Sequence, residues 1–147
     1  MNEILARLPQ FVGHHPLLVA AFVAIVLAMI GYEVSRRFRG FREVSPAGLT
    51  QLINRDNALV IDVSAQADFE KAHIPGSRSV LPSQFDPEHK ELKKVRDLPV
   101  VTVCRNGMES AKAARRLVKA GFTRVHTLAG GIGAWQRADL PLAKGRN

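Results

Sequence analysis

The chemistry open to this sequence starts at its one cysteine. Cys104 ends the apolar run Val100-Val101-Thr102-Val103 and is followed by Arg105-Asn106-Gly107-Met108-Glu109-Ser110. The run predicts a buried strand, and Ser110 to Ala120 predicts a helix. A loop that leaves the carboxyl end of a parallel strand and enters a helix turns backbone N–H groups into a shared concavity. The helix N-terminus adds partial positive charge there. Such a nest binds anions. A cysteine at its edge is expected to be thiolate-prone, and Gly107 permits a backbone turn that a side chain would block. The arrangement suits a nucleophile whose product is an anion: a persulfide, a thiophosphate or an oxyanion. Position alone leaves a second reading open, in which Cys104 closes a core strand as a small hydrophobe.

Few other residues compete for a chemical role. Asp62 ends the run Ala58-Leu59-Val60-Ile61 and is expected to hold loop backbone near the cysteine, because strand-end carboxylates commonly accept N–H bonds. His73 opens His73-Ile74-Pro75-Gly76 and is read as fixing that turn rather than as a base. Trp135 is read as core packing. Lys112, Arg115, Arg116 and Lys119 share one face of the expected helix. That face is read as solvated, with contact to lipid or an acidic partner as the alternative. No nucleic-acid reading follows, since aromatic residues do not interleave with the basic ones. One cysteine excludes a disulfide framework and cysteine-rich zinc sites. His14 and His15 lack a third group at ligand spacing, so no metal is expected.

These residues need a frame, and the chain is long enough for one. Its 147 residues carry a net charge of +8, with 46% hydrophobic and 23% charged residues, which excludes a disordered polyelectrolyte. Ser45-Pro46 reads as an N-cap followed by proline at the first helical position, opening a helix through Leu49, Leu52 and Ile53. Residues 58–62, 100–103 and 124–128 read as strands. Pro87 to Lys94 reads as a short charged helix. Gly121 stops the helix after Cys104, and Gly130-Gly131 leads into a last short helix. Strands alternating with helices imply a parallel sheet covered on both faces.

The N-terminal part is different. No Asp, Glu, Lys or Arg occurs between Arg7 and Glu33, and Leu17 to Ile30 is continuously apolar. With Pro16 at its first turn and Tyr32 at its far end, this is a helix near the lower limit of about 17–25 residues for crossing a bilayer. A cleaved signal peptide needs a basic stretch before the apolar run and small residues after it. Here the basic stretch follows, as Arg36, Arg37, Arg39 and Arg42. A buried core helix is the other alternative. Four arginines, against Glu33 and Glu43, outweigh Arg7 and the α-amino group, against Glu3, and place the N-terminus outside and the C-terminal part in the cytoplasm, as a single-pass anchor with lipid around it. The expected segments are 1–15, a transmembrane helix at 16–34, a basic linker at 35–43, a globular domain at 44–143 and a tail at 144–147.

Several motifs stand in order from about Ser45 to Leu142. They are Val60-Ile61-Asp62, Phe69, His73-Ile74-Pro75-Gly76-Ser77 and Val101-Thr102-Val103-Cys104-Arg105-Asn106-Gly107 with Ser110. Lys119-Ala120-Gly121-Phe122, Leu128-Ala129-Gly130-Gly131-Ile132 with Ala134-Trp135, and Leu140-Pro141 follow. Together they resemble a rhodanese-like, or sulfurtransferase, domain. With the apolar helix, the chain resembles bacterial single-pass membrane proteins of that family, which implies the bacterial inner membrane. The resemblance implies an α/β three-layer sandwich with a central parallel sheet. It also implies Cys104 as the persulfide-forming residue, the loop Arg105, Asn106, Gly107, Met108, Glu109, Ser110 as its cradle, and no cofactor.

Three positions depart from the pattern. Active members often carry Arg where Glu109 stands, Arg where Ser64 stands, and Gly where Ala72 stands. A carboxylate beside the loop opposes a dianionic donor, and Arg105 is the residue placed to compensate. The departures imply a competent thiol with weak thiosulfate turnover and a persulfide or protein persulfide as donor. Phosphatase relatives of the fold use C-x5-R, and Ser110 stands where that arginine would clamp a phosphate. Two function classes result: a membrane-anchored sulfurtransferase passing sulfur to a thiol or protein acceptor, and a non-catalytic docking module whose anchor meets another membrane protein.

Overall fold

The computed structural model describes residues 12–37 and 39–146, apart from the side chains of Arg36 and Arg37. Arg7, Glu3 and residues 1–11 of the expected N-terminal segment lie outside the described residues. The chain divides into two units, residues 1–39 and 40–147.

In the first unit, helix α1 (Pro16–Arg37) is a single run of 22 residues. Its segment Pro16–Ser35 has a mean hydropathy of 2.4, and none of its apolar window is buried. It is long and apolar enough to cross a membrane by length and composition. The helix runs past the expected boundary at residue 34, so Arg36 and Arg37 are helical rather than part of a linker. The Arg39 guanidinium lies 5.6 Å from the centre of the Tyr32 ring.

The second unit is built on a five-stranded sheet of order β1-β5-β4-β2-β3, parallel at every pairing. The strands are β1 (Arg42–Val44), β2 (Leu59–Asp62), β3 (Arg78–Ser79), β4 (Val100–Val103) and β5 (Val125–Leu128). The helices are α2 (Pro46–Asp56), α3 (Gln66–Lys71), α4 (Lys90–Lys93), α5 (Met108–Lys119) and α6 (Gly131–Arg137). Side-chain alternation along the strands sorts the core into two layers. On one face Ile61, Val63 and Val100 pack with Ala113, Ala114 and Leu117 of α5 and with Phe41, Phe85 and Phe122. On the other, Val60, Val101, Val103 and Leu128 pack with Leu49 of α2, Ile74, and Ile132 and Trp135 of α6. This is the expected three-layer α/β sandwich with a central parallel sheet.

Local chemistry explains the elements. The Ser45 hydroxyl accepts the Gly48 N–H at 3.1 Å, and Pro46 supplies the first helical position of α2. The Ala113, Ala114 and Leu117 stripe of α5 is buried, while its four basic residues are exposed. The Thr102 hydroxyl donates to Ser110 O at 2.9 Å, which ties the first turn of α5 to β4.

The three expected strands are present, and two more complete the sheet. β1 and β3 lie at its edges and carry Arg42-Glu43-Val44 and Arg78-Ser79, which have no apolar run to reveal them. β1 and Phe41 also take residues 41–43 out of the expected linker and into the folded unit, where Phe41 is buried. The expected tail is tied down as far as residue 146. Gly145 N–H donates to Glu70 O at 2.8 Å, and Arg146 pairs with the Glu70 carboxylate at 2.6 Å.

Candidate active site

Cys104 follows the last residue of β4 at the centre of the sheet, where carboxyl ends of parallel strands leave a crevice. Its carbonyl accepts the Ile132 N–H at 3.0 Å, which binds the loop to the start of α6. A Cβ on Gly131 would collide with the carbonyls of Cys104 and Arg105, so only glycine lets α6 approach this closely. Beyond Cys104 the loop turns back at Gly107, whose φ of 93° lies in the left-handed region.

That turn aims two amides at the sulfur. Gly107 N–H donates to Cys104 Sγ at 3.0 Å, and Ser110 N–H donates at 3.4 Å. The Ser110 hydroxyl donates to Gly107 O at 2.9 Å and closes the loop on itself. Asn106 Oδ1 accepts the Met108 N–H at 3.2 Å, a local turn that leads into α5. The helix begins at Met108, after Gly107 as its N-cap and two residues before the expected start. Two N–H dipoles and a helix N-terminus thus converge on one sulfur atom and stabilise negative charge there.

Cys104 is 3% exposed, yet it lines a cavity of about 350 Å³. Val63, Leu81 and Pro82 give apolar walls, and Ser64, Asp68 and Glu109 give polar ones. The charged residues around it are engaged with each other. Arg105 pairs with Asp68 at 2.9 Å, and Glu109 pairs with Lys112 at 2.7 Å. Arg105, the residue expected to compensate for Glu109, lines the same cavity with its guanidinium on Asp68. Met108 is exposed.

The two supporting residues lie behind the loop. Asp62 is 1% exposed, and its Oδ1 accepts the Ser64 N–H at 2.8 Å, which fixes the backbone at the cavity wall as expected. Burial holds its carboxyl above the ordinary aspartate value of 3.8, with Asp68 adding to that and Ser64 and His73 opposing it. His73 Nδ1 meets Phe69 O at 2.8 Å, so Nδ1 carries the proton. Its ring stacks on Phe69 with centroids 3.8 Å apart. Its backbone exchanges two hydrogen bonds with Ala143. His73 is absent from the cavity lining and acts on the fold.

Sequence reasoning missed Asp68 and the wall Leu81-Pro82-Ser83. Asp68 lies on α3, a helix of 6 residues, and reaches Arg105 across 37 positions. No local pattern marks either feature. Gly131 was visible as part of a glycine pair, but its contact with the Cys104 carbonyl was not.

With the fold and the Cys104 loop described, the class is defined. The Rhodanese-like domain family model matches residues 45–138, and the chain belongs to that family. It is 36% identical to the uncharacterized protein YibN of Escherichia coli, over 99% of this chain and 100% of that protein. It is 33% identical to the thiosulfate sulfurtransferase GlpE of Pseudoalteromonas translucida, over 67% of this chain and 91% of that protein. Among solved structures, a thiosulfate sulfurtransferase from Pseudomonas aeruginosa superposes with a TM-score of 0.63 at 28% identity. That match covers 71% of this chain and 19% of the other.

The buried Asp62 carboxyl gives a prediction. A folded-state value raised above 3.8 means that the native state holds the proton more tightly than the unfolded chain. Ionisation therefore costs stability as pH rises past 3.8. Asp62→Asn keeps an oxygen for the Ser64 N–H and removes the buried charge. Urea unfolding in detergent micelles is expected to show a gain on the order of 1 kcal/mol at neutral pH that vanishes below pH 3.8. A loss at neutral pH contradicts this account of Asp62.

Proposed function

We propose that the chain is a membrane-anchored sulfurtransferase that carries sulfane sulfur as a persulfide on Cys104. The observation that supports this most is the pair of backbone N–H groups converging on Cys104 Sγ at 3.0 and 3.4 Å beside an open cavity. The Cys104 thiolate attacks the outer sulfur of a donor persulfide. A new S–S bond forms on Cys104, the donor's S–S bond breaks, and the donor leaves as a thiolate. An acceptor thiolate then attacks the outer sulfur of the Cys104 persulfide, takes it, and returns Cys104 as thiolate. The loop amides from Arg105 to Ser110 stabilise the charge on the terminal sulfur between the two steps.

The cavity charges select the donor. Its one arginine is paired with Asp68, and Glu109 presents a carboxylate. Thiosulfate, a dianion, is opposed there, whereas a small or protein-borne persulfide carries less charge. Helix α1 anchors the chain in the bacterial inner membrane as a single pass. The arginines at 36, 37, 39 and 42 hold the Cys104 unit in the cytoplasm, with the N-terminus outside. The same engaged charges favour a second reading, a docking module without turnover that meets another membrane protein through the anchor.

Intact-mass measurement separates the two. The full chain treated with a low-molecular-weight persulfide is expected to gain about 32 Da, one sulfur atom, and Cys104→Ser is expected to gain nothing. No gain on the unaltered chain leaves the docking module. Glu109→Arg is expected to raise kcat/KM for thiosulfate at least about tenfold, the effect of one favourable charge contact. Unchanged turnover would show that the carboxylate is not what opposes the dianion. Protease added outside intact spheroplasts is expected to spare the Cys104 unit, and its cleavage there contradicts the orientation.

A further inference from the structure

Helix α5 carries the Cys104 loop at one end, and its outer face has no part in the proposed chemistry. Lys112, Arg115, Arg116 and Lys119 are all exposed on that face, opposite the buried Ala113, Ala114 and Leu117. Lys112 pairs with Glu109, the one acidic residue on the helix, and Arg116 lies 5.4 Å from the centre of the Phe85 ring. Arg115 and Lys119 have no ion-pair partner among the described residues. Arg96 donates to Ala120 O at 2.8 Å at the last turn and is itself paired with Glu88 at 3.7 Å. A helix face with this charge, and with two cations unneutralised, attracts an anionic surface.

The covalent path says which anionic surface is within reach. Gly40 is packed on the same helix: a Cβ there would lie 2.7 Å from Val118 Cγ1. Phe41, the next residue, is buried in the core layer that holds Ala113, Ala114 and Leu117. The chain therefore enters the folded unit beside the last turns of α5. From Arg37, the end of the apolar helix, to Phe41 there are four Cα steps, at most about 14 Å of fully extended chain. The juxtamembrane arginines have the same sign as the α5 face.

We infer that the Lys112, Arg115, Arg116 and Lys119 face of α5 docks on the anionic lipid surface of the membrane that holds α1. This rests on the anchored reading given above. Screening limits such attraction to about 8–10 Å at ordinary ionic strength, and a tether of at most about 14 Å lets the face reach that range. Docking also holds the Cys104 loop, at the other end of the same helix, within about 16 Å of the headgroups that Lys119 meets.

Lysine acetylation of the full chain in lipid nanodiscs tests the inference. N-hydroxysuccinimide acetate is applied in phosphatidylcholine discs and in discs that also contain phosphatidylglycerol, and peptide mass spectrometry reads each lysine. The exposed Lys144 serves as reference. The Lys119 rate relative to Lys144 is expected to fall at least about threefold in the anionic discs. It is expected to recover in about 1 M salt, where the screening length is about 3 Å. Arg115→Glu is expected to weaken the protection, and the salt response of the unaltered chain carries the test if that variant does not fold. A chain that fails to co-migrate with the discs ends both the anchor and the docking. A chain that enters the discs with an unchanged Lys119 ratio ends the docking alone. Protection that appears only on adding an acidic polypeptide assigns the face to a protein partner and overturns the inference.

Discussion

Two backbone N–H groups, from Gly107 and Ser110, point at one sulfur atom, and much of the second unit exists to keep them there. The sulfur is fixed because Cys104 leaves the central strand of a parallel sheet whose neighbours on both sides are buried. The amides are fixed because Gly107 turns the chain in the left-handed region and the Asn106 carboxamide holds the Met108 N–H ahead of the helix. Thr102 ties that helix to the strand, and the Cys104 carbonyl is bonded to the start of α6. The two N–H dipoles are thus held in place by the fold itself.

The side-chain charges around the sulfur act in the opposite sense to the backbone. Asp68 engages Arg105, and Lys112 engages Glu109, so none of these ion pairs directs a cation at the sulfur. The contacts that reach the sulfur itself are the N–H groups of Gly107 and Ser110. Glu109 and Ser64 line the same cavity and add no cation to it.

The parts of this molecule that were legible in the sequence are those where local chemistry decides structure. β2 and β4 show as apolar, largely β-branched runs that the sheet buries, and β5 shows through Val125, Thr127 and Leu128 on either side of the half-buried His126. α2 announces itself through Ser45-Pro46, and α5 through an apolar face read as Ala111, Ala114, Leu117 and Val118, of which Ala114 and Leu117 are fully buried while Ala113 takes the place of the half-buried Ala111 and Val118. The Cys104 loop was visible because a cysteine, a glycine and a helix start stand together. The missing parts depend on distant residues. β1 and β3 are edge strands held by ladder hydrogen bonds and need no apolar run. α3 is too short for a period to show, so Asp68 and its bond to Arg105 stayed hidden. The Leu81-Pro82-Ser83 wall has no pattern and exists only because β3 delivers the chain to the cavity.

The folded loop is expected to make the sulfur more nucleophilic than it is in a free chain. The rate of Cys104 alkylation by iodoacetamide at neutral pH, compared between the native chain and the same chain unfolded in urea, tests it directly. Faster alkylation is expected in the native state, because the Gly107 and Ser110 N–H groups point at Sγ beside an open cavity. Equal or slower alkylation in the native state would contradict it, since the loop would then only bury the thiol.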